Sequence, residues 1–406
     1  MINRIIEFCA RNQPIVFLLV MAAALAGWWS LRTVPLDAIP DLSDTQVIIY
    51  SRWDRSPDLI EDQVTYPIVT AMLGAPGVKT VRGFSDFGYS FVYVIFDDGT
   101  DIYWARSRTL EYLSGVLPSL PEGVKTQLGP DATGLGWVFQ YVLEDKSGRH
   151  SLDELRSYQD WSLRYHLKSV PGVAEVAPIG GFGRQYQVNL DPNRLRQYGI
   201  SIQRVVEAVR AGNAETGGRL IEFGGTEYMV RGRGYARSIS DFENIALAVS
   251  DSGTPIRVKD VGQVVLGPDI RRGVADLDGT GDAVSGIVVM RQGENALQVI
   301  ERVKAKLREI EPGLPSGVRV VPIYDRSALI HRSIDTLKST LIEVILTVFL
   351  VILLFLWHVP SALIPMLTIP LAVLISFIPF RLLGITANIM SLGGIAIAIG
   401  ALVDAS

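Results

Sequence analysis

Asp404 is the only ionisable residue in the closing stretch Asn388–Ser406, NIMSLGGIAIAIGALVDAS, and is the first candidate for chemistry. At helical steps of three or four, Met390, Gly393, Ala396, Gly400 and Asp404 fall on one face. A face of small residues on an apolar helix lets a second helix approach closely. A carboxylate on that face is expected between helices, and an ionisable group at membrane depth marks an ion or proton path. Desolvation favours its neutral form and a cationic neighbour its charged form, so a moving lysine or arginine would load and release a proton. The plainer alternative is a helix end that reaches water. Met390 precedes Asp404 by fourteen residues, about 21 Å along a straight helix. Its thioether suits soft Cu(I) or Ag(I), although a lone methionine serves equally as core packing. Arg82, within a strand, either lines a cleft or lies on the surface. The acidic run Asp37, Asp41, Asp44 reads as a solvated connector able to attract cations.

Other chemistries find no residues to carry them. The single cysteine, Cys9, excludes an internal disulfide and a CxxC metal site. The four histidines, His150, His166, His331 and His358, lack ligand spacing. No GxxxxGK[ST] loop is present to cradle a nucleotide, and Gly181-Phe182-Gly183 and Gly279-Thr280-Gly281 lack the last glycine of GxGxxG. The net charge of −4 argues against a nucleic-acid partner.

The elements that must position these residues divide the 406-residue chain into membrane and soluble parts. Residues 1–13 form a short amphipathic helix suited to a membrane face. Pro14–Leu31 is uncharged for 18 residues, and Trp28 and Trp29 suit an interfacial anchor. Arg4 and Arg11 precede this span and the acidic run follows it, which puts the N-terminus in the cytoplasm and the middle of the chain outside. From Thr45 the pattern is α+β. Strands and helices follow in the order βαββαβ to Leu128, then begin again at Val138. The second unit is interrupted and resumes near Ala283. Val170-Pro171-Gly172-Val173 echoes Ala75-Pro76-Gly77-Val78, which points to an internal duplication. The glycine-rich segment Gly212–Gly225 within the interruption reads as a long hairpin, either a mobile loop or an arm reaching a neighbouring subunit. Two further apolar spans end at Trp357 and Phe380, the second carrying Pro360, Pro365, Pro370 and Pro379. The chain stops inside an apolar element and reads as an N-terminal fragment.

Several stretches resemble one family: VPLDAIPDLSD from Val34, GAPGVKTVRGFSDFGYSFVYVIFDDGTDIYWARSRTLEYL from Gly74, GPDATGLGW from Gly129, YDRSALIHRSI from Tyr324, and NIMSLGGIAIAIGALVDA from Asn388. Together they resemble the heavy-metal branch of the resistance–nodulation–division (RND) efflux permeases, and the Cus-type copper/silver exporters in particular. The resemblance implies a membrane α-helical bundle with periplasmic α+β, ferredoxin-like βαββαβ porter subdomains and an inserted docking subdomain. The implied segments are a transmembrane helix at 14–34, porter subdomains at 40–134 and at 135–183 with 273–326, and docking at 184–272. Transmembrane helices follow at 338–357, 359–381 and 386–406.

The resemblance also implies a multi-pass inner-membrane homotrimer that pairs with a periplasmic adaptor and an outer-membrane channel. Such a protein is no enzyme and holds no cofactor; it exports metal in exchange for protons. By the same resemblance Asp404 matches the proton-relay residue, Met390 a methionine of the metal relay, and Arg82 a charged residue of the cleft. Ala398 stands where zinc, cobalt or nickel exporters carry a second aspartate, which favours Cu(I) or Ag(I). Leu402 stands where Cus-type members carry a methionine, which removes one thioether from the path. The alternatives are a divalent-metal or multidrug exporter or, from another class, a non-transporting assembly or translocation-assisting membrane protein.

Overall fold

The structure, a computed structural model, describes residues 2–250, 253–271 and 273–405; the side chains of residues 2–6, 216, 356, 361–362 and 402–405 lie outside the description. One compact unit comprises Met1–Ser147, Asp160–Pro178 and Ser285–Ser406, and the other Gly148–Gln159 and Ile179–Val284.

Among the described residues three helices are long and apolar enough to cross a membrane: Gln13–Thr33, Arg326–Phe355 and Leu363–Leu382. The first and third meet closely at Gly27, where an added Cβ would lie 2.5 Å from the Leu374 carbonyl oxygen. The interfacial tryptophans are each capped by an arginine. The Arg32 guanidinium lies 4.7 Å from the Trp28 ring, and that of Arg381 lies 3.3 Å from Trp29 while donating to Thr33 Oγ1 at 2.9 Å. The second membrane helix is one 31-residue element, Arg326–Leu356. The last helix, Ile389–Ala405, has 17 residues.

The first sheet contains β1 (Gln46–Arg52), β2 (Val78–Asp86), β3 (Tyr89–Phe96) and β4 (Lys125–Leu128), in the order β2-β3-β1-β4. Alternation along β1 buries Val47, Ile49 and Ser51 toward the helices, with Val92 and Val94 of β3 beside them. The second sheet uses β5 (Trp137–Asp145), β6 (Val173–Gly180) and, after an interruption, β13 (Val284–Met290) and β14 (Val318–Asp325). Its order, β14-β5-β13-β6, repeats that of the first sheet strand for strand.

The echo extends to the turns. Gly77 and Gly172 both take positive φ, 73° and 92°, which the turn before β2 and before β6 requires. It also extends to the preceding helices, each of which contains a π turn, Glu61–Thr65 in one and Gln159–Leu163 in the other. In both helices the buried positions step by four, Ile60, Val64, Ile68, Met72 and Leu155, Gln159, Leu163, Leu167, as the wider turn requires.

The second compact unit holds β7 (Arg184–Leu190), β8 (Thr216–Phe223), β9 (Thr226–Gly232), β10 (Ala246–Val249), β11 (Pro255–Arg257) and β12 (Gly262–Pro268). It pairs β7 with β12, β8 with β9 and β10 with β11 around a core that includes Leu247, Val258 and Val261. This unit is broader than the 184–272 segment expected from sequence. Arg184 pairs with Asp153 and Glu154, and Arg156 donates to the Gly180 carbonyl, which ties Gly148–Gln159 into it. The glycine-rich segment closes as a hairpin. Phe223 pairs with Thr226 across Gly224-Gly225, both at positive φ, which makes a two-residue hairpin turn.

Candidate functional site

The last helix begins where Asn388 caps it. Asn388 Oδ1 accepts from the Ser391 backbone N–H at 3.0 Å, and Ser391 Oγ accepts from the Asn388 N–H at 2.8 Å. Asn388 is buried and also donates to Thr386, so the cap is held from both sides. From there Leu392, Ile395 and Ile399 form the buried stripe. The small-residue face expected against another helix is open here: an added Cβ at Gly393 or Gly400 would meet nothing within 4 Å. The larger aliphatic side chains bury more apolar area and therefore take the contact within this chain.

Asp404 belongs to this helix, and its side chain lies outside the described residues. Met390 is 72% exposed on the same helix. A groove of about 290 Å³ separates the upper part of this helix from the second membrane helix; Arg332, Thr336, Thr340, Gly393 and Ala396 line it. Glu343 of the second membrane helix is exposed. Among the described residues no group of three His, Cys, Asp or Glu side chains could hold a metal ion.

Arg82 stands on the edge strand β2 opposite Tyr93, exposed and without a hydrogen bond or ion pair among the described residues. It shares its sheet face with an aromatic cluster. Phe91 lies 6.4 Å from Tyr50, 6.4 Å from Phe84 and 6.1 Å from Tyr89 between ring centroids. The alternation Tyr89, Phe91, Tyr93 along β3 is the sequence signal for this face.

The acidic connector departs most from expectation. Asp37 is no solvated charge: its Oδ1 lies 3.3 Å from Arg326 Nη1, with the two side chains 13% and 5% exposed. Arg326 Nη2 donates to the Trp137 carbonyl at 2.8 Å and its Nε to Tyr324 Oη at 3.4 Å. Asp41 accepts from Thr133 Oγ1 at 2.7 Å, and Asp44 lies 4.0 Å from Lys79. Beside the connector is a cavity of about 250 Å³ whose walls include Asp37, Asp41, Thr133, Met290 and Glu294.

The neighbouring Asp325 caps the second membrane helix, accepting from Ser327 N–H at 2.9 Å and pairing with Lys304 Nζ at 2.6 Å. Burial alone would raise this carboxyl's pKa. The hydrogen bonds from Lys304 and Ser327 outweigh burial and hold it below the usual carboxylate range.

The chain belongs to the AcrB/AcrD/AcrF family, whose profile matches residues 5–406. It is 52% identical over its whole length to "Cation efflux system protein CusA" of Escherichia coli (strain K12) and 51% identical to "Putative cation efflux system protein SilA" of Salmonella typhimurium, covering 39% of each. A solved structure described as a heavy metal efflux pump superposes with a TM-score of 0.86 at 36% identity, over 98% of this chain and 40% of that one. The chain thus spans about two fifths of the length of these relatives.

Proposed function

We propose that this chain is the N-terminal part of a proton-driven inner-membrane permease that exports heavy-metal cations, Cu(I) and Ag(I) before divalent ions. The observation that carries this reading is the identity of 51 and 52%, over the whole chain, to relatives named as cation efflux proteins. In this reading Asp404 is the proton relay, Met390 a thioether on the metal path and Arg82 a cleft residue. The metal is cargo, and the energy is the ion gradient, worth about 2.3 kcal/mol per charge per 100 mV. The two sheets of matching order are ferredoxin-like porter subdomains, and the unit that carries the β8–β9 hairpin is the docking region. Its exposed Phe223 and Met229 suit contact with the next protomer of a homotrimer. The trimer works with a periplasmic adaptor and an outer-membrane channel. The open face at Gly393 and Gly400 leaves room for a further helix bearing the cation that Asp404 needs.

The test of cargo uses the full-length permease in proteoliposomes under an imposed pH gradient. Gradient-dependent movement of Cu(I) or Ag(I) faster than Zn(II) is the expected result. Zinc moving faster would overturn the monovalent assignment, and movement of no metal would overturn the exporter reading.

A further inference from the structure

The connector after the first membrane helix is bonded on both sides. On one side it meets the start of the last helix. Ala387 N–H donates to the Pro35 carbonyl at 2.9 Å, Asp37 N–H to the Ala387 carbonyl at 3.1 Å, and Ile389 N–H to the Ala38 carbonyl at 3.1 Å. Leu36 and Ala387 form a parallel bridge at the same place. On the other side it meets residues that flank the second sheet, through Asp37 to Arg326, just after β14, and through Asp41 to Thr133, just before β5. Arg326 in turn holds Trp137, the first residue of β5, and Tyr324 near the end of β14.

We infer that Arg326 and Asp37 are the positioning pair that carries movement of the last helix to the second sheet. The inference rests on the proton-relay reading for what moves that helix. A buried guanidinium is costly in the membrane-proximal interior, and an apolar pair of the same volume is often at least as stable. A planar fork of donors, however, fixes several directions at once, which apolar contacts do not. Here one guanidinium reaches three separate acceptors: the connector, β5 and β14. The first two residues of the helix entry, Ala387 and Asn388, are also buried, so the connector and the helix start move as one body.

The experiment uses the full-length permease in proteoliposomes. It compares the native form with the double substitution Asp37→Leu with Arg326→Met, with Arg326→Lys, and with Asp404→Asn. The readouts are Ag(I) transport, membrane insertion with thermal stability, and pH-dependent labelling of Asp404 by a carbodiimide, which reacts with protonated carboxyls. The expected result for the double variant is native insertion, native stability and an unchanged labelling profile, with Ag(I) transport at least tenfold lower. Arg326→Lys keeps the charge and loses the fork, so a smaller loss of about threefold is expected. Native transport by the double variant overturns the inference. Loss of insertion or stability in both the double variant and Arg326→Lys also overturns it, because the pair would then only hold the fold. Native transport by Asp404→Asn counts against the relay reading alone, so the two failures are distinguishable.

Discussion

The two sheets share a strand order, a turn glycine and a π turn, yet they are put to different use. In the first, one face is covered by helices and the other carries half-open aromatic rings with Arg82 at the edge. In the second, β13 is buried along its whole length, and the Tyr141 ring lies 2.4 Å from where a Cβ of Gly286 would be. The second sheet also runs directly into a membrane helix, with Asp325 as cap and Arg326 as the next residue. The same topology therefore serves once as a surface and once as an anchor. Repetition of a fold fixes where backbones lie, and the side chains at strand ends decide what each copy does.

This contrast can be broken most forcefully at the equivalent turn glycines. Gly172→Ala places a Cβ 2.5 Å from Val299 Cγ2 at a φ of 92°, whereas at Gly77 the nearest atom is 3.5 Å away. The second substitution should cost about 1 kcal/mol from φ alone, and the first about 3 kcal/mol because overpacking is added. Thermal unfolding of the two variants checks the order; equal losses would show that the second sheet is no more tightly packed.

A smaller effect is expected from pH. The depressed pKa of Asp325 means that its contribution to stability is present above the ordinary carboxylate range and is lost as pH falls through the folded-state value. Lys304→Met removes the ion pair, so the variant should be less stable near neutrality and lose less on acidification. Thermal midpoints measured between about pH 3 and 7 test this, since that interval brackets carboxylate titration. Parallel curves for native and variant would refute it.

The smallest effect is expected at Arg82. Arg82→Ala removes an exposed side chain without an ion pair, so stability should stay within about 0.5 kcal/mol of native. A cleft role predicts slower transport in spite of that. Native transport would leave Arg82 as surface.

What could be read from sequence was local. The repeated Pro-Gly-Val marked both turns because only glycine fits the positive φ there. Apolar length marked helices long and apolar enough to cross a membrane. What could not be read was either hidden in a period or distant in the chain. A π turn widens the helix locally, so the buried positions step by four throughout, Ile60, Val64, Ile68, Met72 in one helix and Leu155, Gln159, Leu163, Leu167 in the other, a shift too small to separate from ordinary 3.6 spacing over a few turns. Asp37 and Arg326 are 289 residues apart, so nothing near Asp37 distinguishes a buried partner from a solvated charge. The glycine-rich segment was legible as a hairpin, and β8 pairs with β9 there. For Asp404, isolation in an apolar helix made it a candidate, and its side chain lies outside the described residues.

The most direct test of the account is Cu(I) and Ag(I) transport by the full-length permease in proteoliposomes under a pH gradient, native against Asp404→Asn. The account predicts gradient-dependent transport that the substitution reduces at least about 100-fold, as loss of an essential proton-transfer group does. Transport unchanged by Asp404→Asn would make the carboxylate structural and contradict the account at its centre.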